Sequence, residues 1–281
     1  MKITECPRDA MQGLEKFVPT QDKISYLNAL LEVGFDTLDF GSFVSPKAIP
    51  QMADTAEVLA GLKWEGTQTK LLAIIANLRG AETACNYAEI SYLGYPFSIS
   101  ETFQKRNTNC SMQESLDRVK EIQDLCVTKK KELVIYISMA FGNPYGDPWS
   151  ADVAVDWVGR LGELGIRIFS MSDTVGVSGK NSITTIFQNT ITQFPNYDIG
   201  AHLHTTPDTW REKMEAAYAS GCRRFDGAIK GFGGCPMAED RLTGNMPTEN
   251  IIQLADEKNE KLPINREAFQ KALIEAAKIF G

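Results

Sequence analysis

Histidine is nearly absent from this chain: there are two among 281 residues, and both fall in one tripeptide, His202-Leu203-His204. Cysteine is sparse and unpatterned. Its six copies (Cys6, Cys85, Cys110, Cys126, Cys222 and Cys235) include no Cys-x-x-Cys pair, which suits reduced thiols rather than a disulfide framework or a zinc cage. No apolar run is long enough to span a bilayer, so no membrane partner is expected. Lys2 to Cys6 is too short and too polar for the apolar core of a secretion signal, and a cytoplasmic location is the expectation. Without such a signal, Asn109-Cys110-Ser111 carries no weight as a glycosylation sequon. Clustered Lys and Arg are missing too. A net charge of −7 argues against nucleic acid as a partner and leaves room only for a local basic rim around a small anion.

What is present is an ordinary folding composition, 43% hydrophobic and 23% charged, with no biased tract and no linker. Short β-rich runs alternate with helical periodicity, as in βαβ units around a parallel sheet. Strands are predicted near Ile3–Cys6, Thr37–Phe40, Lys70–Ala76, Glu89–Leu93, Leu133–Ala140, Arg167–Met171, Asp198–His202 and Arg224–Ala228. Between them run helices such as Gln21–Val33, Met112–Lys129, Ala151–Leu164 and Thr209–Ser220, and Gly34, Gly165 and Gly221 each stand where a helix must end before a strand. Eight strands predict a (β/α)8 TIM barrel. A doubly wound open sheet is the alternative, but Cys6-Pro7-Arg8-Asp9 is nothing like its Gly-x-Gly-x-x-Gly turn. Two further helices, about Thr248–Asn259 and Asn265–Phe280, pack on the barrel, and residues 1–281 form one catalytic domain in this reading.

In such a barrel the chemistry sits at the C-terminal ends of the strands. Both histidines occupy the seventh of these ends. A spacing of two on a strand turns both imidazoles to one face, as a bidentate metal anchor requires, although a chance structural pair has the same spacing. Asp9, past the first strand, supplies a carboxylate from a neighbouring part of the ring and completes a facial triad for a divalent metal. Arg8 beside it reads by itself as half of a surface ion pair. Next to a metal site it is better used to stabilise an oxyanion.

After the eighth strand, Gly231-Phe232-Gly233-Gly234-Cys235-Pro236 is a loop whose glycines permit unusual backbone angles and which delivers one thiol to the barrel mouth. Asn245 follows, a turn residue on its own but able to reach a metal through its amide oxygen. Asp39 and Asp173 fall at strand ends; pointing inward, they would orient Arg8 and a ligand histidine. Lys47, Arg79, Lys105 and Arg106 are candidates for the basic rim, though each alone reads as a solvated charge.

Taken together, Pro7-Arg8-Asp9 with Gln12, Ser42-Phe43-Val44-Ser45-Pro46-Lys47 with Pro50-Gln51-Met52, Asn107 through Ser115, Ser172-Asp173-Thr174-Val175-Gly176, His202-Leu203-His204 and Gly233-Gly234-Cys235-Pro236 closely resemble the hydroxymethylglutaryl-CoA lyase family. Each motif is weak; their order along nearly the whole chain is specific. The resemblance implies cleavage of 3-hydroxy-3-methylglutaryl-CoA to acetyl-CoA and acetoacetate, a retro-Claisen step of leucine degradation. It implies Mg2+ or Mn2+ held by Asp9, His202, His204 and Asn245, acidifying the substrate's tertiary hydroxyl. It implies Arg8 stabilising the thioester enolate, Cys235 protonating it, and Asp173 or a histidine acting as base, with Asp39 assisting. Gln12, Ser42, Lys47, Lys105, Asn107 and Thr174 would contact the acyl-CoA substrate, and Gly233 and Gly234 would shape the loop. A homodimer or higher homo-oligomer is compatible with this reading.

Three departures from the family pattern stand out. Asp39 replaces the usual Glu, Thr205-Thr206-Pro207-Asp208 replaces an acid or amide followed by a Gly-containing turn, and the segment from Cys235 to Asn245 is longer and more charged. The rival readings are a related acyl-CoA/2-oxo-acid condensing enzyme, a 4-hydroxy-2-oxo-acid aldolase, and a non-catalytic CoA- or protein-binding barrel. The absence of an extra C-terminal lid region stands against the condensing enzyme, and the full set of candidate ligands stands against the last.

Overall fold

The computed structural model describes residues 1–234 and 243–281. Eight parallel strands, β1 (Lys2–Glu5), β2 (Thr37–Ser42), β3 (Lys70–Ile74), β4 (Ile90–Ser98), β5 (Glu132–Ser138), β6 (Ile168–Asp173), β7 (Asp198–Thr205) and β8 (Arg224–Gly227), pair in chain order. The ring closes where Ile3 and Thr4 of β1 meet Phe225 and Asp226 of β8. This is the predicted TIM barrel. A two-residue strand, β9 (Gly244–Asn245), then pairs antiparallel with the mouth end of β7, setting Asn245 opposite His204.

All eight expected strands are present, with shifted ends. β4 runs through Gly94 and Pro96 to Ser98, past the expected Leu93, because both residues lie in register with Val134 and Tyr136 of β5 and pairing there overrides their strand-breaking character. After β4 comes the helix Glu101–Thr108, capped by Ser100 Oγ accepting from the Phe103 N–H at 3.2 Å. Pro7-Arg8-Asp9 likewise opens a short helix, Pro7–Gln12, with the proline at its first turn, where a missing N–H costs nothing. Gly34, Gly165 and Gly221 have positive φ as their helix-ending positions require.

The last two helices, Thr248–Glu257 and Arg266–Phe280, lie near their expected ranges. The second packs on the helix Thr20–Val33: Phe280 meets Tyr26 edge-on at 6.1 Å, and the Asn265 N–H donates to the Val33 carbonyl at 2.8 Å. Phe280 also stacks on Phe232, at the root of the Gly-rich loop. Among the described residues, no helix is long and apolar enough to cross a membrane.

Inside the ring the two halves differ in polarity. Leu72, Ile74, Tyr92, Val134 and Tyr136 of β3 to β5 form an apolar cluster. On the other side Arg224 donates to Ser170 Oγ at 2.9 Å, and that hydroxyl donates to Asp226 at 3.0 Å. Buried polar groups of this kind are tolerated because each has a partner.

Glu5 fastens this frame at the end of β1. It is wholly buried; one carboxyl oxygen accepts from the Ile229 N–H at 2.9 Å and the other from Thr248 Oγ at 2.5 Å. Burial pushes its carboxyl up to about 8, against the pull of those two donors. Between the unfolded carboxylate range and about 8, the folded chain therefore keeps a proton that the unfolded chain has released. Stability tied to Glu5 is complete below about pH 4.5 and is lost as pH rises through about 8, with a slope of about 1.4 kcal/mol per pH unit. Denaturant midpoints of Glu5→Gln at pH 5 and 7.5 are expected to differ less than those of the wild type. An equal difference would show that Glu5 does not carry this proton.

Candidate active site and metal centre

The pocket at the C-terminal mouth of the barrel has a volume of about 340 Å³ and is lined by the helix Pro7–Gln12, the segment after β2, the mouth ends of β3 to β7 and the helix Glu101–Thr108. Its polar wall holds Arg8, Asp9, Gln12, Ser172, His202 and His204. Ligand atoms of Asp9, His202 and His204 lie within 4.8 Å of one another. Strand alternation puts both imidazoles on the lumen face, while buried Leu203 between them turns into the helix layer.

Each imidazole is oriented from behind. His204 Nδ1 lies 2.9 Å from the Thr174 carbonyl, so Nδ1 carries the proton and donates. His204 Nε2 is then left with its lone pair, buried and without a partner among the described residues. Burial and the neighbouring His202 hold this ring's titration below the ordinary histidine range, which keeps it neutral, as metal ligation needs. His202 Nδ1 faces Asp226 at 3.2 Å; burial works against its charged form, but that carboxylate lifts its titration above the ordinary value. Nitrogen, nitrogen and carboxylate around one orphaned lone pair fit a divalent cation.

Arg8 is the hub of the acidic side. Its Nε and Nη2 grip Asp39, with Nη2 to Oδ2 at 2.5 Å, while Nη1 donates to Asp9 at 3.1 Å and to Gln12 Oε1 at 2.8 Å. Asp39 thus reaches Arg8 although it is one methylene shorter than the family's usual glutamate. Burial raises the Asp39 carboxyl to about 6, opposed by Arg8. Asp9 pays a similar burial cost but also faces both imidazoles and the amides of Gln12 and Asn245, and with Arg8 they hold it at about 2. The two carboxylates of one guanidinium therefore shift in opposite directions because Asp9 has the larger set of cationic and donor neighbours.

Asn245 stands beside this group. Its amide nitrogen donates to Asp9 Oδ2 at 2.8 Å and to the Phe232 carbonyl at 2.9 Å, so in this arrangement it orients Asp9 with its nitrogen side. Gly233 crosses close by in a left-handed conformation, and a Cβ there would lie 2.7 Å from Ala10 Cα and 2.8 Å from the Asp9 carbonyl. Gly234 follows with positive φ. Cys235 lies outside the described residues.

Other candidates are placed differently. Asp173 was expected to point inward and orient a ligand histidine, or to act as base; it faces outward instead, because Ser172 and Thr174 take the lumen side of the strand end. Its carboxylate is taken up by Lys213 Nζ at 2.7 Å and Ser178 Oγ at 2.5 Å. Lys213 also donates to the His204 carbonyl, so Asp173 acts on the backbone that carries a histidine and not on its ring. Ser42 is buried with its hydroxyl accepting from the Val44 N–H, and it does not line the pocket. Lys47 is exposed, and Lys105 pairs with Glu101 at 3.0 Å on the surface; neither lines the pocket. Asn107 and Thr174 do line it, although Thr174 Oγ1 already accepts from the Met139 N–H.

Asp226 is the site residue that motif reading missed. Its signal was the alternation Arg224-x-Asp226, two charged residues on one face of a barrel strand. Carboxylates behind metal-binding histidines fix the ring tautomer, and their loss typically costs about 10- to 100-fold in metal affinity. Asp226→Asn is expected to weaken Mn2+ binding by that factor in a calorimetric titration. Unchanged affinity would detach Asp226 from the site.

The chain matches the HMGL-like family over residues 3–276. It is 34% identical over 253 residues to a 3-hydroxy-3-isohexenylglutaryl-CoA/hydroxymethylglutaryl-CoA lyase of Pseudomonas aeruginosa, covering 88% of this chain and 82% of that one. Its fold is similar to an HMG-CoA lyase of Brucella melitensis, with a TM-score of 0.92 at 27% identity over 99% of this chain and 98% of that chain. An HMG-CoA lyase of Acinetobacter baumannii, solved in complex with coenzyme A and 3-methylmalate, has a TM-score of 0.90 at 29% identity over 99% and 90% of the two chains. Sequence and fold agree from end to end: this chain belongs to the HMGL-like family.

Proposed function

We propose that this chain is a carbon-carbon lyase that cleaves 3-hydroxy-3-methylglutaryl-CoA to acetyl-CoA and acetoacetate. The observation that carries the reading is the orphaned His204 Nε2, held among Asp9, His202 and Arg8 at the mouth of an HMGL-like barrel. Asp9, His202 and His204 would hold the cation, Mg2+ or Mn2+, with Asn245 beside Asp9; when bound it supplies Lewis acidity toward the substrate's tertiary hydroxyl. With both imidazoles given to the cation, the proton acceptor among the described residues lining the pocket is Asp9, whose carboxylate keeps a second oxygen. Arg8 faces the oxygen that gains charge as the carbon-carbon bond breaks, and Cys235 is the proton donor to the departing acetyl-CoA carbon. The apolar wall of Val44, Ile74 and Pro96 suits the 3-methyl group, with Gln12 and Thr174 nearest the polar acyl end and Asn107 at the exposed rim.

Residues 1–281 act in this proposal as one catalytic unit, since the last helix supports the root of the Gly-rich loop through Phe280 and Phe232. The five described cysteines are buried and unpaired, which favours a reducing, cytoplasmic setting and a role in leucine degradation there. The deciding experiment is acetoacetate release from 3-hydroxy-3-methylglutaryl-CoA by chelator-treated protein, with and without added Mg2+ or Mn2+. Metal-dependent release upholds the reading. No release despite intact metal binding overturns it in favour of another acyl-CoA or oxo acid.

A further inference from the structure

Tyr136 is placed in the pocket by a deliberate gap in the strand beside it. On β5, Val134 and Tyr136 turn into the lumen, and β4 brings Gly94 alongside, in register with Val134. A Cβ on Gly94 would lie 3.1 Å from Tyr136 Cε2, 2.6 Å from Ile74 Cδ1 and 3.1 Å from Leu72 Cδ2. A side chain there would displace the end of Ile74 and crowd the phenol ring, so the glycine serves space and not backbone freedom. The ring, 7% exposed, reaches across and meets His202 edge-on, with centroids 5.5 Å apart and planes at 90°.

Its hydroxyl is buried and has no hydrogen-bond partner among the described residues. The surrounding polar groups are already engaged. Arg8 holds Asp39, Gln12 holds Asp9, Ser172 Oγ donates to the Ser170 carbonyl, and Asp226 is shared by His202 and Ser170. A buried hydroxyl without a partner is costly, and phenylalanine would fill the same space without that cost. Among the described residues two buried side-chain polar atoms lack partners, His204 Nε2 and Tyr136 Oη, and both residues line the same pocket. The first is a lone pair and suits a cation. The second is an O–H and suits an oxygen.

We infer that Tyr136 donates a hydrogen bond to an oxygen at the acyl end of the bound substrate, next to His202, as a further substrate-contacting residue of this site. A phenol is protonated at neutral pH, so the hydroxyl acts as donor and not as base. The acyl end is the one that fits. Tyr136 touches the innermost histidine, whereas the coenzyme A handle must leave past Ala48, Ile49, Asn107 and Thr108 toward solvent.

The inference rests on the lyase reading above, and Tyr136→Phe separates the two. Because the hydroxyl has no partner among the described residues, the variant should keep the wild-type thermal midpoint and Mn2+ affinity. Its kcat/KM for 3-hydroxy-3-methylglutaryl-CoA should fall about ten- to hundredfold, as loss of a hydrogen bond to a charged or charge-developing oxygen predicts. Wild-type kcat and KM in the variant would overturn the inference while leaving the lyase reading intact. A lowered thermal midpoint would also overturn it, by showing that the hydroxyl serves the protein. If wild-type protein releases no acetoacetate, the lyase reading fails, and calorimetric titration of free 3-hydroxy-3-methylglutarate into both Mg2+-loaded proteins decides this one. Weaker binding by the variant upholds it; equal binding, or none by either protein, overturns it.

Discussion

A His204→Ala protein is expected to fold normally yet bind Mg2+ or Mn2+ more than about a hundredfold more weakly, with lyase turnover falling alongside metal occupancy. The fold is expected to survive because, among the described residues, the ring makes one hydrogen bond, from Nδ1 to the Thr174 carbonyl, while its other nitrogen makes none. What holds the end of β7 is the backbone: Lys213 Nζ caps the His204 carbonyl at 2.9 Å, and Asn245 lies opposite in register. Neither needs the imidazole. The metal has no such alternative, since Asp9 and His202 alone leave a cation two protein ligands, and Asn245 turns its nitrogen toward Asp9. Titration with Mn2+ beside a thermal melt checks both halves of the expectation. Unchanged metal content would remove His204 from the site; a collapsed melt would make it a structural residue first.

The same strand shows how far the sequence could be read. Two histidines at a spacing of two, in a chain with no others, carry their own geometry, because period-two alternation on a barrel strand leaves both on one face. Arg8 and Asp9 were legible for a similar reason, coming directly after the first strand, where this fold keeps its chemistry. Alternation was also the trap at Asp173. Whether a residue at the end of β6 faces the lumen depends on a one-residue phase that apolar patterning in a strand buried on both faces does not report. Ser172 and Thr174 took the lumen, and Asp173 went to Lys213, a helical lysine 40 positions away that nothing in the local sequence announces. Glu5 and Tyr136 were silent on the same grounds, and Asp226 showed only as the second member of Arg224-x-Asp226. Each is a single polar residue in a buried strand, and its role comes from partners far off in the chain, or from an empty place such as that at Gly94.

Arg8→Gln is expected to reduce turnover by about 10²- to 10³-fold and to destabilise the metal-free protein by about 3–5 kcal/mol. The two effects have separate origins in one guanidinium. Of its five N–H groups, one on Nε goes to Asp39, two on Nη1 go to Asp9 and Gln12, and one on Nη2 goes to Asp39 again. The second N–H of Nη2 has no acceptor among the described residues, and Arg8 lines the pocket, so this donor remains for a substrate oxygen. Glutamine removes that donor, hence the loss of rate. It also leaves Asp39, wholly buried, without its counter-charge, hence the loss of stability. The second effect carries a sign with pH. Asp39 already titrates at about 6 because of burial, and without Arg8 it must rise further, so the variant holds Asp39 protonated where the unfolded chain does not. A raised folded value means stability that is complete below the unfolded carboxylate range and is lost as pH climbs. The gap between variant and wild type should therefore be smaller at pH 5 than at pH 8. Arg8→Lys separates the roles from the other side: one ammonium can neutralise Asp39 but cannot also span Asp9 and reach the substrate. Stability near the wild type with turnover still low is the expected result, and a fully active lysine variant would show that charge alone, without the geometry of the fork, is what the site requires.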